Sequence, residues 1–560
     1  MVSLKKVEDR PTPPEVYSWK IYGLAAIAAI AAVGIGYDSA FVGGAIVLKG
    51  FTKDFGKLDA NTSGNLVSTY QAGAFVGAFA GYPLGHFVGR RWGLTIAAIL
   101  FTIGAIIMTI ASGSTGLAPI YAGRALAGLA IGAASNLTPI YISEISPPAI
   151  RGQLVGMYEL GWQIGGIVGF FINYGVSINI PTSTLQWRIP FAVQIIPGGL
   201  LALTAPFLIE SPRWLISRGR REESVRNLSK IRKLDVNHPY LVEEVAEMNA
   251  AHDKEMALLG SNSFWAPFRH TFLVRKVLYR LLIGSSLFAF QNGTGINAIN
   301  YYSPTVFKSL GITGSNTGLL TTGIFGVIKT LGAIVWILFL IDHFGRRRIL
   351  MTGATGGAFA MLAIAIYIAV DKPASRPAGA GLDSTGRFAL ACFYIWTIFY
   401  GATWNGTPWV VGSEIFPQQS RTLGMALMAA SNWGYNLAIS RCSPLAFEWS
   451  SWGYYLIFAC LMLISIPYIF FLLPETKGIP LEHMDELFDM PQPRNAGPRL
   501  LQDLRRRQAH LGSEINAHNQ GADVKDLARE QGQSGSVTPD NSEKRDEIDI
   551  ETGSAHRREF

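Results

Sequence analysis

The sequence predicts an all-α membrane protein, with twelve transmembrane helices in two six-helix halves joined by a helical linker. Three observations carry that prediction. The 560 residues are 49% hydrophobic and only 15% charged, against roughly a quarter charged in soluble domains. The charge is unevenly spread, which leaves many runs of about 20 residues, long enough to cross ~30 Å of hydrocarbon as helix. Landmarks in the first half of the chain also return, in the same order, in the second.

The runs come in two groups. Six fall near 20–46, 66–88, 93–112, 118–140, 153–175 and 188–209. Six more fall near 279–303, 318–341, 349–370, 386–412, 422–443 and 453–473. The chain is therefore expected to divide into an N-terminus (1–19), a first half (20–209), a linker (210–278), a second half (279–473) and a tail (474–560). The linker holds "RGRREESVRNLSKIRKL" and "YLVEEVAEMNAAHDKEM", which read as short amphipathic helices with charged faces. Beyond about residue 491 the tail is rich in Arg, Gln and Ser with few apolar clusters, and is expected to be largely disordered. The opening "MVSLKKVEDRPTPPEVYSWK" has no short apolar run followed by a small-residue cleavage site, so the first span is expected to serve as the insertion signal.

The repeat is specific. "GRR" at Gly89–Arg91 recurs at Gly345–Arg347, 256 positions later (345 − 89). "PIYISEISPPAIRG" from Pro139 returns loosely as "PWVVGSEIFPQQSRTLG" from Pro408, each with a glutamate seven positions before an arginine: Glu144 with Arg151, Glu414 with Arg421. "ESPRW" from Glu210 and "PETKG" around Glu475 close the sixth and twelfth spans. Parallel six-helix halves with a site between them are the architecture of a carrier.

Composition excludes other classes. The net charge of +8 is explained by basic loops on the cytoplasmic side rather than by nucleic acid. Arg90, Arg91, Arg151, the linker and Arg346–Arg348 share one side under this helix count, so both termini are expected in the cytoplasm and the chain at the plasma membrane. There is no phosphate-cradling glycine motif, no nucleophile–base set and no zinc spacing. Neither an enzyme nor a resident metal or cofactor is expected. Cys392, Cys442 and Cys460, an odd number in apolar surroundings, are expected at buried positions outside any disulfide framework. "NTS" at Asn61 is a glycosylation sequon in the first outer loop, close to the membrane.

The motifs "GRR" after the second and eighth spans, "GR" at 123–124, "ESPRWL", "GINAINYYSP" and "PETKG" make residues 17–488 resemble the sugar porter family of the major facilitator superfamily. Within it the chain is most similar to the fungal quinate permeases, through "VEDRPTPPEVYSWKIY", "GYDSAF", "YQAGAF", "YELGWQIGGIVGF", "QNGTGINAINYYSP" and "LIDHFGRR". One departure is plain: the acid that usually stands three positions before the first "GRR" is His86 here, while the second copy keeps Asp342. The charges repeated at the inner ends of the spans, Arg90, Arg91, Glu144, Arg151, Asp342, Arg346, Arg347, Glu414 and Arg421, are assigned to gating.

A charge at the bilayer centre costs ~2.5–3.5 kcal/mol on insertion scales, so each needs a reason. Those inside spans are Asp38, Arg124, Glu159, Lys329 and Arg441. Asp38 and Arg124, on the first and fourth spans, form a candidate pair. Two readings stand: a static ion pair that fixes packing, or a pair that opens when Asp38 takes a proton. The resemblance implies the second, because proton-coupled sugar porters carry an aspartate at this position. Glu159 is placed near the cytoplasmic end of the fifth span, with at most a part in gating. Arg441 is expected near the outer surface.

A second group is neutral: Gln163, Gln291, Asn292, Asn297, Asn432 and Asn436. Such amides in lipid-embedded helices either bond to each other or face a cavity, and "NGTG" beside Asn292 interrupts its helix, as at carrier binding sites. An amide offers donor and acceptor together, which suits a ring bearing hydroxyls. The resemblance implies substrate contact at Gln163, Gln291, Asn292, Asn297 and Asn432, with Trp409 as an apolar platform and Tyr301 beside them. Asn436 is read as interhelical glue. Lys329 stands where hexose carriers of the family tend to have asparagine, unless a one-residue slip makes Thr330 the counterpart. A lysine there attracts a carboxylate; the alternative is a side chain snorkelling to headgroups.

The expected function is proton-coupled import of a cyclic polyhydroxy acid, quinate first, with the bilayer, protons and a small solute as partners and no obligate protein partner. The alternatives are symport of galacturonate or a neutral hexose, and, in another class, a membrane nutrient sensor.

Overall fold

The computed structural model describes residues 12–259, 264–312, 315–373, 383–416, 420–477, 479, 484–490, 496–500, 502–503 and 506. The side chains at 148, 152, 251, 255, 258, 259, 315, 342 and 343 lie outside that description. So does most of the tail beyond 491, on which the expectation of disorder falls.

All twelve apolar runs lie on helix. In the first half these are α1 (Trp19–Ala45), α3 (Ala60–Phe87), α4 (Arg90–Thr109), α5 (Ala118–Ile145), α6 (Arg151–Asn179) and the split pair α7 (Thr184–Val193) and α8 (Ile195–Thr204), with a short α2 (Lys49–Phe55) between the first two. The linker carries α9 (Pro212–Ser217), α10 (Arg221–Arg232), α11 (Pro239–Leu259) and α12 (Ala266–Leu273). The second half holds α13 (Arg275–Asn292), α14 (Ile296–Ser309), α15 (Ser315–Val335), α16 (Ile341–Phe344), α17 (Arg346–Asp371), α18 (Ser384–Phe399), α19 (Thr407–Ile415), α20 (Arg421–Trp449) and α21 (Ser451–Leu472), followed by α22 (Met484–Asp489).

Eight segments among the described residues are long and apolar enough to span a membrane by length and composition alone. The four spans that fall short are α3, α13–α14, α18–α19 and α20, and the reason is chemical. Gln291, Asn292 and Asn297 sit on α13–α14, which breaks at Gly295 (φ +89°). A π-helical turn, Tyr400–Trp404, separates α18 from α19. Asn432, Asn436 and Arg441 lie on α20. These helices have polar faces that lipid would not tolerate, so the faces turn inward.

Small residues let the helices touch. A Cβ on Gly36 of α1 would stand 1.9 Å from the Trp162 carbonyl oxygen of α6, and one on Gly165 of α6 would stand 2.1 Å from that of Val33. Without helix-to-helix hydrophobic drive in lipid, such backbone packing supplies the association. The Lys233 ammonium lies 5.6 Å from the centre of the Trp19 ring, which puts the start of α1 at the linker side and its end at the opposite side. There, a Cβ on Gly43 would meet the Tyr301 carbonyl oxygen of α14 at 1.9 Å. The first and second halves are in backbone contact at that point.

The linker is anchored by charge. Arg232, wholly buried, forms an ion pair with Glu244 at 2.6 Å and donates to the Ile145 carbonyl at the end of α5 at 2.7 Å. On the second half, Arg280 of α13 pairs with Asp485 of α22 at 2.6 Å. The cysteines correct one expectation: all three are free, but only Cys392 is buried, while Cys442 and Cys460 are exposed. Apolar neighbours along a spanning helix do not tell which face points outward.

Candidate functional site

Two clasps at the linker side repeat each other in outline. Arg90 donates through Nε and Nη2 to both oxygens of Glu144, at 2.9 and 2.8 Å, and through Nη1 to the Gly85 carbonyl at 2.8 Å. In the second half, Arg346 donates to Glu414 at 2.8 Å and to the Ile341 carbonyl, again five residues back, at 2.9 Å. Glu414 also accepts from the Thr476 hydroxyl at 2.6 Å.

Behind each clasp stands a glutamate that sequence reading used only as a landmark. Glu210 accepts the backbone N–H groups of Arg90, Arg91 and Ser211; Glu475 accepts those of Arg346 and Arg347. A carboxylate at a helix N-terminus satisfies orphan donors and complements the dipole. Burial pushes the Glu210 carboxyl up, and those N–H donors pull it back. The glycines before the arginines, Gly89 and Gly345, have φ of +99° and +82°, and a Cβ on either would collide with its glutamate. Arg91 and Arg347 lie over the rings of Trp92 and Phe470. Arg151 starts α6 half-buried, Arg421 donates to the Phe416 carbonyl at 3.3 Å, and the Asp342 side chain is outside the described set. His86, where the first acid is expected, lies among Tyr82, Phe87 and Phe264.

Deeper between the helices, the structure brings Asp38 and Arg124 together. Asp38 Oδ1 and Arg124 Nη1 are 3.4 Å apart and both side chains are 0% exposed. Arg124 Nη2 donates to the Val67 carbonyl at 3.2 Å and the guanidinium covers the Tyr70 ring at 5.2 Å. Among the described residues, neither Asp38 oxygen has a hydrogen-bond partner.

Three of the amides form a ladder. Asn297 donates to Asn292 Oδ1, and Asn292 Nδ2 donates to Asn432 Oδ1 at 3.0 Å. Gln291 Nε2 donates to the carbonyls of Trp404 and Asn405, both at 2.8 Å, tying α13 to the π-helical turn. Asn297 and Trp409 are half-buried, and Trp409 meets the Phe288 ring at 4.7 Å. Tyr301 lies apart from this ladder, fully buried, with Asn436 Nδ2 donating to its hydroxyl at 3.2 Å. Arg441 is at the side away from the linker, donating to Asn61 Oδ1 at 3.1 Å, from the second half to the first.

Lys329 is 5% exposed, which removes the snorkelling reading. Its ammonium donates to Asn300 Oδ1 at 3.4 Å and lies 5.6 Å from the centre of the Phe325 ring. Thr330 is half-buried and turns its hydroxyl to the Gly326 carbonyl of its own helix, whereas Lys329 is buried. Sequence reading missed Asn300. It placed Glu159 near the cytoplasmic end of its span with at most a part in gating; Glu159 accepts from Gln163 at 2.7 Å and from Asn405 of the second half at 2.6 Å. The i, i+4 spacing of Glu159 and Gln163 was the signal available.

The profile of the family described as "Sugar (and other) transporter" matches residues 24–488. The chain belongs to the sugar transporter family. A quinate permease of Emericella nidulans is 51% identical over 533 residues, covering 95% of this chain and all of that one. A probable quinate permease of Aspergillus oryzae is 53% identical over 511 residues, covering 90% of this chain and 95% of the relative. Among solved structures, the proton:xylose symporter XylE bound to 6-bromo-6-deoxy-D-glucose superposes with a TM-score of 0.70 at 28% identity, over 84% of this chain and 99% of that one. XylE of E. coli in a partially occluded inward-open conformation gives 0.68 at 25% identity, over 83% and 100%. This member of the sugar transporter family thus has the twelve-helix major facilitator fold, and it is a multi-pass membrane transporter, not an enzyme.

Proposed function

We propose that the chain is a proton-coupled importer of a cyclic polyhydroxy acid, quinate first, working by alternating access between its two halves. The observation that carries the reading is Lys329, a buried ammonium beside an amide ladder. The amides suit ring hydroxyls and the ammonium suits a carboxylate, through charge-assisted hydrogen bonds. In this reading Gln163, Gln291, Asn292, Asn297 and Asn432 contact the ring, and Trp409 gives it an apolar face. Tyr301 seals the far side against α1 until the substrate draws it in. The names of the permease relatives support the substrate.

Asp38 is the proton site in this reading. A buried carboxylate whose two oxygens lack hydrogen bonds is costly while charged, and protonation frees Arg124 to move. The proton:xylose symporter among the structural neighbours supports coupling. Arg90, Arg91, Glu144, Arg151, Asp342, Arg346, Arg347, Glu414 and Arg421 gate the inner end. Residues 20–209 and 279–473 act as the moving halves, 210–278 as the linker, and 1–19 and 474–560 as cytoplasmic termini of a plasma-membrane protein.

Uptake of radiolabelled quinate, galacturonate and glucose, each with and without an imposed proton gradient, tests this. Gradient-driven accumulation of quinate over the other two is the expected result. Preference for glucose would overturn the acid substrate, and equilibration without accumulation would overturn the coupling. Binding without any transport would indicate a sensor.

A further inference from the structure

One carboxylate beside the amide ladder has no task in the reading above. Glu159 of α6 accepts hydrogen bonds from Gln163 Nε2 in its own half and from Asn405 Nδ2 in the other. Asn405 follows the π-helical turn, and its carbonyl holds Gln291. Glu159 therefore stands among the residues assigned to the ring. Lys329 of α15 packs on the same turn, where a Cβ on Gly401 would stand 2.7 Å from the Lys329 carbonyl oxygen, and its ammonium acts electrostatically on Glu159. The Lys329 ammonium has three protons to donate and makes one long hydrogen bond, to Asn300. The other titratable groups acting on Glu159 are the phenols of Tyr158 on α6 and Tyr400 on the π-helical turn. Asp38 and Arg124 form a separate pair between α1 and α5.

Charge balance gives the consequence. With Glu159 ionised and Lys329 protonated, the layer between the halves is neutral. A ligand carboxylate would add an uncompensated charge to a water-poor site, which is strongly unfavourable. The site becomes neutral again when Glu159 takes a proton from solution. A place for that proton exists, because Gln163 Oε1 is buried and has no hydrogen-bond partner among the described residues. Gln163 now turns its Nε2 to Glu159; once that amide turns over, a protonated Glu159 can donate to Oε1 while still accepting from Asn405.

We propose that Glu159 is a specificity-determining residue: the resident counter-anion of Lys329 in the empty carrier, which the substrate carboxylate replaces as Glu159 takes up one proton. This rests on the acid-substrate reading. It separates acids from neutral rings, because a neutral polyol leaves the Glu159–Lys329 balance untouched and takes up no proton there.

Calorimetry on the purified full-length protein, in buffers of different ionisation enthalpy, reads the protons taken up per ligand bound. Quinate is expected to take up one proton more than myo-inositol, and its affinity to fall by an extra factor of about ten per pH unit, as one-proton linkage requires. Glu159→Gln should still bind quinate but lose both the extra proton and the extra slope, and Glu159→Asp should restore them. Unchanged proton uptake in Glu159→Gln overturns the proposal. If Glu159→Gln does not fold, infrared difference spectra decide instead. In the Asp38→Asn protein, adding quinate must produce a new protonated-carboxyl band, and its absence overturns the proposal. The two readings fail differently. Wild-type protein that binds myo-inositol but no quinate refutes the acid substrate, while quinate binding with no extra proton refutes only the role of Glu159.

Discussion

Asp38 and Arg124 face each other at 3.4 Å with no water-exposed surface, and no hydrogen bond from the described residues reaches either carboxylate oxygen. A static structural pair would be expected to satisfy its lone pairs, because removing one partner of a buried, well-made pair costs ~3–5 kcal/mol. This pair is left open on one side. Asp38→Asn, close in shape to the protonated acid, is therefore expected to abolish accumulation of quinate against a gradient while exchange across the membrane persists. Counterflow in proteoliposomes checks both halves of that statement. Continued accumulation with continued proton entry would leave Asp38 a packing residue.

The amide ladder gives the second prediction. Asn292 is its centre, accepting from Asn297 and donating to Asn432. Asn292→Ala leaves the buried Asn432 and the half-buried Asn297 unsatisfied, and Gln291→Ala releases two carbonyls. Each is expected to weaken ligand binding by ~1–3 kcal/mol, the cost of an unmade buried hydrogen bond, with the larger loss at Asn292. Surface expression should stay near wild type. Loss of expression with unchanged affinity in the surviving protein would mean that the ladder only holds helices together.

Lys329 gives the third. Truncating one partner of a buried charge pair costs ~2–5 kcal/mol, so Lys329→Asn should lower quinate affinity at least tenfold while a neutral ring polyol binds as well as before or better. Equal losses for both ligands would make Lys329 a support for the fold.

A fourth prediction concerns the clasps. Glu144→Gln removes one partner of Arg90, whereas Glu414→Gln frees both Arg346 and the Thr476 hydroxyl. The second is expected to lower the apparent melting temperature of the purified carrier more than the first. In the double variant the shifts should add, as they do for sites sharing no partner. A double variant no worse than Glu414→Gln alone would show that the clasps are coupled.

Much of this was legible in the sequence, for physical reasons. Hydropathy marks spans because lipid demands it, and "GRR" 256 residues apart marks a repeated structure that the two clasps reproduce. The Asp38–Arg124 pair was readable because two unlike charges in oily helices have few other partners. Glu159 was not, since its partner Asn405 lies 246 residues away and hydropathy does not report how a helix is rotated. The same blindness hid Asn300 and the exposed Cys442 and Cys460. Glu210 and Glu475 were visible as landmarks, but their task is to bind backbone N–H groups, which carry no sequence signature.

Each clasp closes within its own half. Among the described residues, the side-chain hydrogen bonds that cross from one half to the other are single ones: Glu159 to Asn405, Arg441 to Asn61, Ser177 to Asn316 and Trp433 to Ser135. A machine assembled this way separates durability from speed. On the alternating-access reading proposed above, stiffness resides in bonds that travel with each half, while friction between them is set by the backbone contact at Gly43 and a handful of single hydrogen bonds. Exchanging one of those residues retunes how fast the carrier cycles and leaves its resistance to unfolding nearly intact, so turnover can drift across related carriers without eroding the scaffold.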